Sequence, residues 1–237
     1  MKYYPGQTGP LLMTSLYYLL IVSCTTTTRV IKYPTIGNDI YANANLKQFL
    51  RDNKSPSIVL RVANTSDKAT SQTTTNKDLL YNAIEKELLK EGFSVRDRGL
   101  FNEIINKAQT SDYSKIKDLT NTDLILEVVN IDPEVIYSTN KVTMITKRNE
   151  KEIIQNIDYK RYGASVEFKL ILVRNNEIAG SYKYNYKPCP DGCELTTFQF
   201  TNKRTNEVAL KESVQVNLLE EFIQSSTKDL IRSFRQN

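Results

Sequence analysis

The 237-residue sequence predicts an α/β fold of the mixed α+β kind: a three-layer-like mixed sheet flanked by helices, with an antiparallel hairpin extension and a long C-terminal helix. Three observations predict it. Between residues 57 and 131, short apolar segments alternate with stretches of helical period, as strands and helices do in layered folds. Beyond Pro133 the apolar segments follow one another without intervening helices, as hairpins do. From about Leu210 to Phe234, residues Val214, Leu218, Phe222, Ile223, Leu230, Ile231 and Phe234 trace the stripe of a single core-facing helix.

Each element has its own local signal. Asn43 to Arg51 reads as a short helix, and Ser55-Pro56-Ser57 marks a break before the strand Ile58–Ala63. Residues Asn64 to Thr75 have loop composition, and Asn76 is placed to cap a helix over Lys77–Glu91, where Leu79, Leu80, Ala83, Ile84 and Leu88 recur at helical spacing. Gly92 stands where a left-handed C-cap belongs. Phe93-Ser94-Val95 is a short strand. Asp97 is the expected N-cap of a helix to Ala108, with Leu100, Ile104, Ile105 and Ala108 on one face. A shorter helix around Tyr113 to Leu119 precedes Leu124–Ile131, a strand apolar enough to lie centrally in a sheet. Strands Val135–Thr146, Ile153–Tyr162, Ala164–Val173 and Ile178–Tyr186 follow, with Asn175-Asn176 as a tight turn.

Composition excludes several classes of function. The net charge of +5 is spread among interleaved acidic and basic residues, a pattern that favours solubility and not nucleic acid. Glycine is scarce, at 8 residues, and no phosphate-loop spacing occurs. The sequence contains 0 histidines, which removes the usual general base, the commonest metal ligand and every Ser-His or Cys-His arrangement. The carboxylates lie beside Lys and Arg, as on a solvated surface. The expectation is therefore no catalytic residues, no metal, no cofactor and no enzymatic activity.

The N-terminus carries an address. The apolar run Leu11–Val22 is too short to span a bilayer, which takes about 20 apolar residues, and has the length of a signal-peptide core. Ile21-Val22-Ser23-Cys24 resembles the lipobox of bacterial lipoproteins, which implies cleavage before Cys24 and lipid on its thiol; an ordinary secretory signal with an incidental cysteine is the alternative. Residues 1–23 are then the signal peptide, 24–56 the lipidated N-terminus and tether, and 57–237 one periplasmic α/β domain. In Gram-negative lipoproteins an Asp after the lipidated Cys favours the inner membrane and an acidic tract favours surface display. Here the next residues are Thr25-Thr26-Thr27-Thr28-Arg29, so the resemblance implies an outer-membrane anchor facing the periplasm.

The remaining two cysteines, Cys189 and Cys193, bracket Pro190-Asp191-Gly192, a strong turn signal. In an exported chain a disulfide is the default, closing a small loop and contributing about 2 kcal/mol at a hairpin tip. A metal site would lack two further soft ligands, and a redox motif has a shorter spacing.

The segment Gly92-Phe93-Ser94-Val95-Arg96-Asp97-Arg98-Gly99-Leu100-Phe101-Asn102-Glu103-Ile104-Ile105 resembles the curli secretion lipoprotein family and its relatives. Those relatives are the lipoprotein activators of penicillin-binding proteins and the amino-terminal domain of the Tol-Pal periplasmic protein. The family places a strand, an acidic-Arg turn and a helix here, followed by a Gly-Ala-Asp segment leading into a strand. In Asn121-Thr122-Asp123-Leu124 only Asp123 matches that second segment. The likeness extends loosely to Val166–Val173 and Glu177–Ser181, covering about residues 57–186. It implies that Asp97, Arg98 and Asp123 form a structural motif, with Arg98 able to satisfy carbonyls at the strand-helix corner.

Curli-type relatives insert two hairpins per subunit into the outer membrane, so the hairpin regions at about 135–162 and 182–200 bear on function. Ile136, Ser138, Asn140, Val142, Met144 and Thr146 make one uncharged face, Tyr182, Tyr184 and Tyr186 another, and Thr196, Phe198 and Phe200 a third. The return strand sets Gln155 and Arg161 beside Ile153, Ile157 and Tyr159, and an Arg facing lipid costs about 2–4 kcal/mol at the midplane. The ordinary alternative packs the tyrosines under the C-terminal helix or exposes them to a partner. The expected function is a non-enzymatic, lipid-anchored module whose partners are another envelope protein or a secretion or cell-wall component, and further copies of itself in a homo-oligomer. A subunit of an oligomeric curli-type outer-membrane secretion channel is the second reading.

Overall fold

The computed structural model describes residues 28–62, 71–108, 113–147, 149–195, 201–202, 207–209 and 214–235. The expectations for the signal segment, for Cys24, and for Thr196, Phe198 and Phe200 lie outside them. The fold is mixed α/β: helices pack on both faces of a mixed sheet, and a long helix closes the chain.

The strands are β1 (Thr28–Ile31), β2 (Asp39–Ala42), β3 (Ser57–Val62), β4 (Ser94–Arg96), β5 (Leu124–Ile145), β6 (Glu150–Leu172), β7 (Glu177–Tyr186), β8 (Cys193–Glu194), β9 (Thr201–Asn202) and β10 (Glu207–Ala209). The helices are α1 (Ala44–Asp52), α2 (Ser71–Lys90), α3 (Arg98–Ala108), α4 (Tyr113–Thr120) and α5 (Val216–Arg235). A 3-10 turn over Val173–Asn175 joins β6 to β7.

The β5–β6 hairpin is the spine, pairing antiparallel from Leu124↔Leu172 to Ile145↔Glu150. Its two ends have different neighbours. At the body end the strand order is β2-β7-β6-β5-β3-β4, with β3 parallel to both β5 and β4. At the far end it is β9-β10-β6-β5-β1-β8, with β1 antiparallel to β5 and β10 parallel to β6.

Alternation along the central strands explains their unbroken apolar character, because successive side chains point to opposite faces and both faces of the body are covered. Ile58, Leu60, Leu124, Leu126, Leu170 and Leu172 face α1, α2 and α5 in the main core, whereas Val59, Ile125 and Ile171 face Phe101 and Ile105 of α3. On the main-core side, Tyr182 meets Phe234 at 5.8 Å between ring centroids and Tyr186 meets Phe222 at 5.7 Å. The tyrosine face of β7 therefore lies under α5, as the ordinary packing reading has it.

The caps follow local chemistry. The Asn43 side chain accepts from the Leu46 N–H at 2.8 Å, starting α1. Gly92, at φ +84°, lets its own N–H reach the Leu89 carbonyl and Phe93 N–H reach that of Leu88, ending α2. Asn176, at φ 52°, closes the β6–β7 turn.

Several expectations need correction. The tether does not run to residue 56: β1, β2 and α1 all fall within that span. Helix α2 begins at Ser71, so Asn76 lies inside it and not at its start; no Gly or Pro in that polar stretch stops a helix already nucleated by the apolar turns that follow. In α3 the buried residue is Phe101, and Leu100 is 57% exposed. In α5, Leu219 is buried where Leu218 was expected. The strands split at Pro133 and at Gly163 are single strands. Pro133 falls in a register shift between Asp132 and Val135, where the missing N–H costs no ladder bond.

Gly163 continues β6 because of what surrounds it. A Cβ there would collide with the Tyr186 carbonyl oxygen and the Tyr137 ring, so replacing Gly163 by Ala forces the strands apart. We expect Gly163→Ala to lower stability by about 1–3 kcal/mol in urea unfolding, whereas Gly37→Ala, with nothing within 4 Å, should stay within about 0.5 kcal/mol of the parent.

Candidate functional site

The residues singled out by sequence fall in two places. The first is the corner where β4 enters α3. Asp97 Oδ1 accepts from the Leu100 N–H at 2.6 Å and its carbonyl from the Phe101 N–H at 3.1 Å, so it is the N-cap of α3. The guanidinium of Arg98 stacks over the Tyr81 ring, 5.3 Å from its centroid, with Glu85 at 3.9 Å and Asp78 at 4.0 Å. These partners are carboxylates and a ring on α2, not the carbonyls expected, so Arg98 ties α3 to α2. Burial raises the Glu85 carboxyl above its ordinary range and the neighbouring Arg98 pulls it back down.

Asp123 lies apart from that pair and locks the start of β5 to the start of β3. It accepts from the Ser57 N–H at 3.0 Å and returns its own N–H to the Ser57 carbonyl at 3.1 Å. The Ser57 hydroxyl sits 2.8 Å from Asp123 Oδ2 and 2.7 Å from the Asn121 carbonyl, while Lys117 Nζ approaches Asp123 at 3.5 Å. Arg96, which sequence reasoning passed over, reaches that same Asn121 carbonyl at 3.3 Å from the β4 side. No motif in the sequence marks Ser57 or Arg96; only the parallel pairing of β3 with β4 and β5 brings them there.

Two clefts adjoin these elements. One, of about 470 Å³, lies between α2 and the β4–α3 corner and is lined by Glu85, Arg96 and Arg98 among others. The other, of about 340 Å³, is lined by Leu50, Arg51, Lys54, Pro56, Phe93 and Phe234. No group of three or more His, Cys, Asp or Glu side chains that could hold a metal occurs among the described residues.

The second place is the far half of the β5–β6 hairpin. There Ile31, Tyr33, Tyr137, Val142, Tyr159 and Cys193 form a small core separate from that of the body. Tyr33 and Tyr137 meet edge-on at 6.4 Å. Burial pushes the Tyr33 phenol up to about 12, with Arg161 pulling in the other direction. Cys189 and Cys193 are joined by a disulfide across a turn in which the Gly192 N–H donates to the Cys189 carbonyl at 2.8 Å. Arg161 Nη1 approaches Cys193 Sγ at 3.1 Å.

The bridge is not at a hairpin tip. β7 pairs with β6 and β2, whereas β8 pairs with β1, so the stapled corner carries the chain from one side of the spine to the other. The uncharged face expected along β5 is also broken. Between Thr139 and Lys141 the register shifts, with Gln155–Asp158 standing against Asn140. Val142 is consequently buried with Tyr137 while Ile136 is 59% exposed. Exposed further along the extension are Lys141 and Glu152, paired at 2.9 Å, and Asp158.

The Asp123–Ser57 lock gives a direct expectation. Asp123→Ala leaves the Ser57 N–H without its carboxylate and should cost about 1–3 kcal/mol in urea unfolding, whereas Asp97→Ala removes a cap at an exposed corner and should cost about 1 kcal/mol.

No family model and no curated protein matches the chain. Among solved structures, the PelC dodecamer from Paraburkholderia phytofirmans shares 9% identity over 86% of this chain and 96% of that one, at a TM-score of 0.33. A neuraminyllactose-binding hemagglutinin homolog from Helicobacter pylori shares 13% identity over 86% of this chain and 91% of that one, also at 0.33. Likeness at these scores supports no statement about what this chain does.

Proposed function

We propose that the protein is a lipid-anchored, non-enzymatic module on the periplasmic side of the outer membrane that binds another component of the cell envelope. The observation that carries this reading is the division of labour among the three cysteines. Cys189 and Cys193 are bonded to each other, the state that an oxidising compartment maintains. Cys24 stands directly behind an apolar run of signal-peptide length, where a lipid would be attached. Kinship with the curli secretion lipoproteins and their relatives belongs to the same proposal, supported by Asp97 acting as the α3 cap after a short strand. Association with further copies of the chain belongs to the same proposal, and the mass of the detergent-extracted particle reads it.

A curli-type channel subunit is the second reading, and the length of the β5–β6 hairpin is what favours it. Against it stand the charges on the exposed face of the extension, Lys141, Glu152 and Asp158, and the covering of the other face by β1 and the stapled corner. A lipid-facing strand needs an unbroken apolar alternation over 9–11 positions, and the shift at Thr139–Lys141 interrupts it.

The mature protein should carry acyl chains on Cys24 by mass spectrometry, stay in the outer-membrane fraction, and leave it on Cys24→Ala. After detergent extraction it should co-purify with an envelope protein and leave planar bilayers silent. Ring-shaped particles with steady conductance would overturn the module in favour of the channel; an unmodified Cys24 would overturn the anchor.

A further inference from the structure

Strand β1 begins at Thr28, and its place in the sheet decides which end of the molecule a lipid on Cys24 would hold at the membrane. Thr28 pairs with Ile145, and Ile145 pairs with Glu150 across the end of the β5–β6 hairpin. The chain from Cys24 to Thr28 can span at most about 14 Å. Leu124, at the other end of the 22-residue strand β5, pairs with Ile58 of the body, so the body and the anchored residue Thr28 lie at opposite ends of one ladder.

The chemistry of the tip suits an anionic surface. Glu150 and Glu152 are each engaged by a lysine, Lys32 at 3.0 Å and Lys141 at 2.9 Å. Arg29, Lys147 and Lys151 are exposed around them, so cations set the sign of this end, with Glu194 one pair further back beside Val30. Phosphate headgroups attract such clusters over about a Debye length, and the tether brings the tip to within at most about 14 Å of the lipid.

We propose that the tip of the β5–β6 hairpin, through Lys147, Lys151 and Arg29, docks on the headgroups of an anionic lipid surface and holds the helix-covered body upright and away from the bilayer. This orientation rests on the lipid-anchor reading above. It makes the clefts and the open edges β2 and β4 the parts that a periplasmic partner meets, and leaves the stapled corner beside the membrane.

The test uses the full lipidated chain in vesicles of phosphatidylcholine with or without phosphatidylglycerol, containing a headgroup nitroxide. A fluorophore is attached through Asn149→Cys at the tip or through Lys54→Cys at the body end. Quenching should be strong at 149 and absent at 54 on phosphatidylglycerol vesicles. The ratio of docked to undocked protein that this quenching reads should fall about fivefold for each cation lost in Lys147→Gln and Lys151→Gln, the factor that about 1 kcal/mol per basic residue corresponds to. Equal or stronger quenching at 54 would overturn the orientation while leaving the anchor intact. Quenching at 149 that ignores both the charge of the lipid and these substitutions would overturn headgroup docking, as would stronger quenching by a nitroxide deep in the acyl chains. If mass spectrometry finds no lipid on Cys24, the anchor reading fails separately; the same vesicles with the unmodified chain then still decide the docking, and no quenching at 149 overturns it.

Discussion

The antiparallel pairing of β5 with β6 is the interaction on which the rest of the molecule depends. One ladder serves both halves of the sheet: its body half is flanked by β3 and β7, its far half by β1 and β10. Each half has a core of its own, the large one under α1, α2 and α5 and the small one around Tyr33, Tyr137 and Tyr159. A two-stranded ribbon alone is at best marginally stable in water. The far half persists because β1 and the stapled corner bury its apolar side, and the bridge limits how far that corner can stray when unfolded.

Register is what makes so long a ribbon specific. A slip by one residue would exchange the two faces of every strand, turning Ile58, Leu60, Leu124 and Leu126 out of the main core and Val59 and Ile125 into it. The three register shifts in the hairpin fall between Val128 and Asn130, Asp132 and Val135, and Thr139 and Lys141. The one between Asp132 and Val135 lies between the two cores, where a bulge can bend a ribbon while the pairing continues on either side. The lock between Asp123 and Ser57 fixes where β5 begins against β3, so the register is set at the body end by polar atoms as well as by packing.

Legibility in the sequence followed the range of the interaction. Gly92, Asp97 and Asn176 were readable because a cap or a tight turn is decided within a few residues. The Cys189–Cys193 bridge was readable for the same reason, although not its place in the sheet. Pro133 and Gly163 misled because each breaks a strand on average, yet here a register shift absorbs the first and the crowding of Tyr137 and Tyr186 requires the second. Thr28 and Arg29 carry no periodicity and read as tether; only their pairing with Met144 and Ile145, more than a hundred positions away, makes them a strand. Arg98 was visible as a motif residue, but its partners on α2 were not, because they come from packing between helices.

The most direct test of this account is amide hydrogen exchange resolved along β5 and β6. If one ladder spans both cores, those amides of Ile136–Thr139 and Tyr159–Tyr162 that point across the β5–β6 pairing should exchange at least about a hundredfold more slowly than an unstructured peptide, which corresponds to an opening free energy of about 2.7 kcal/mol. β1 should be protected along with them. Exchange at the unstructured rate through the far half, with protection confined to the residues paired with β3 and β7, would contradict it.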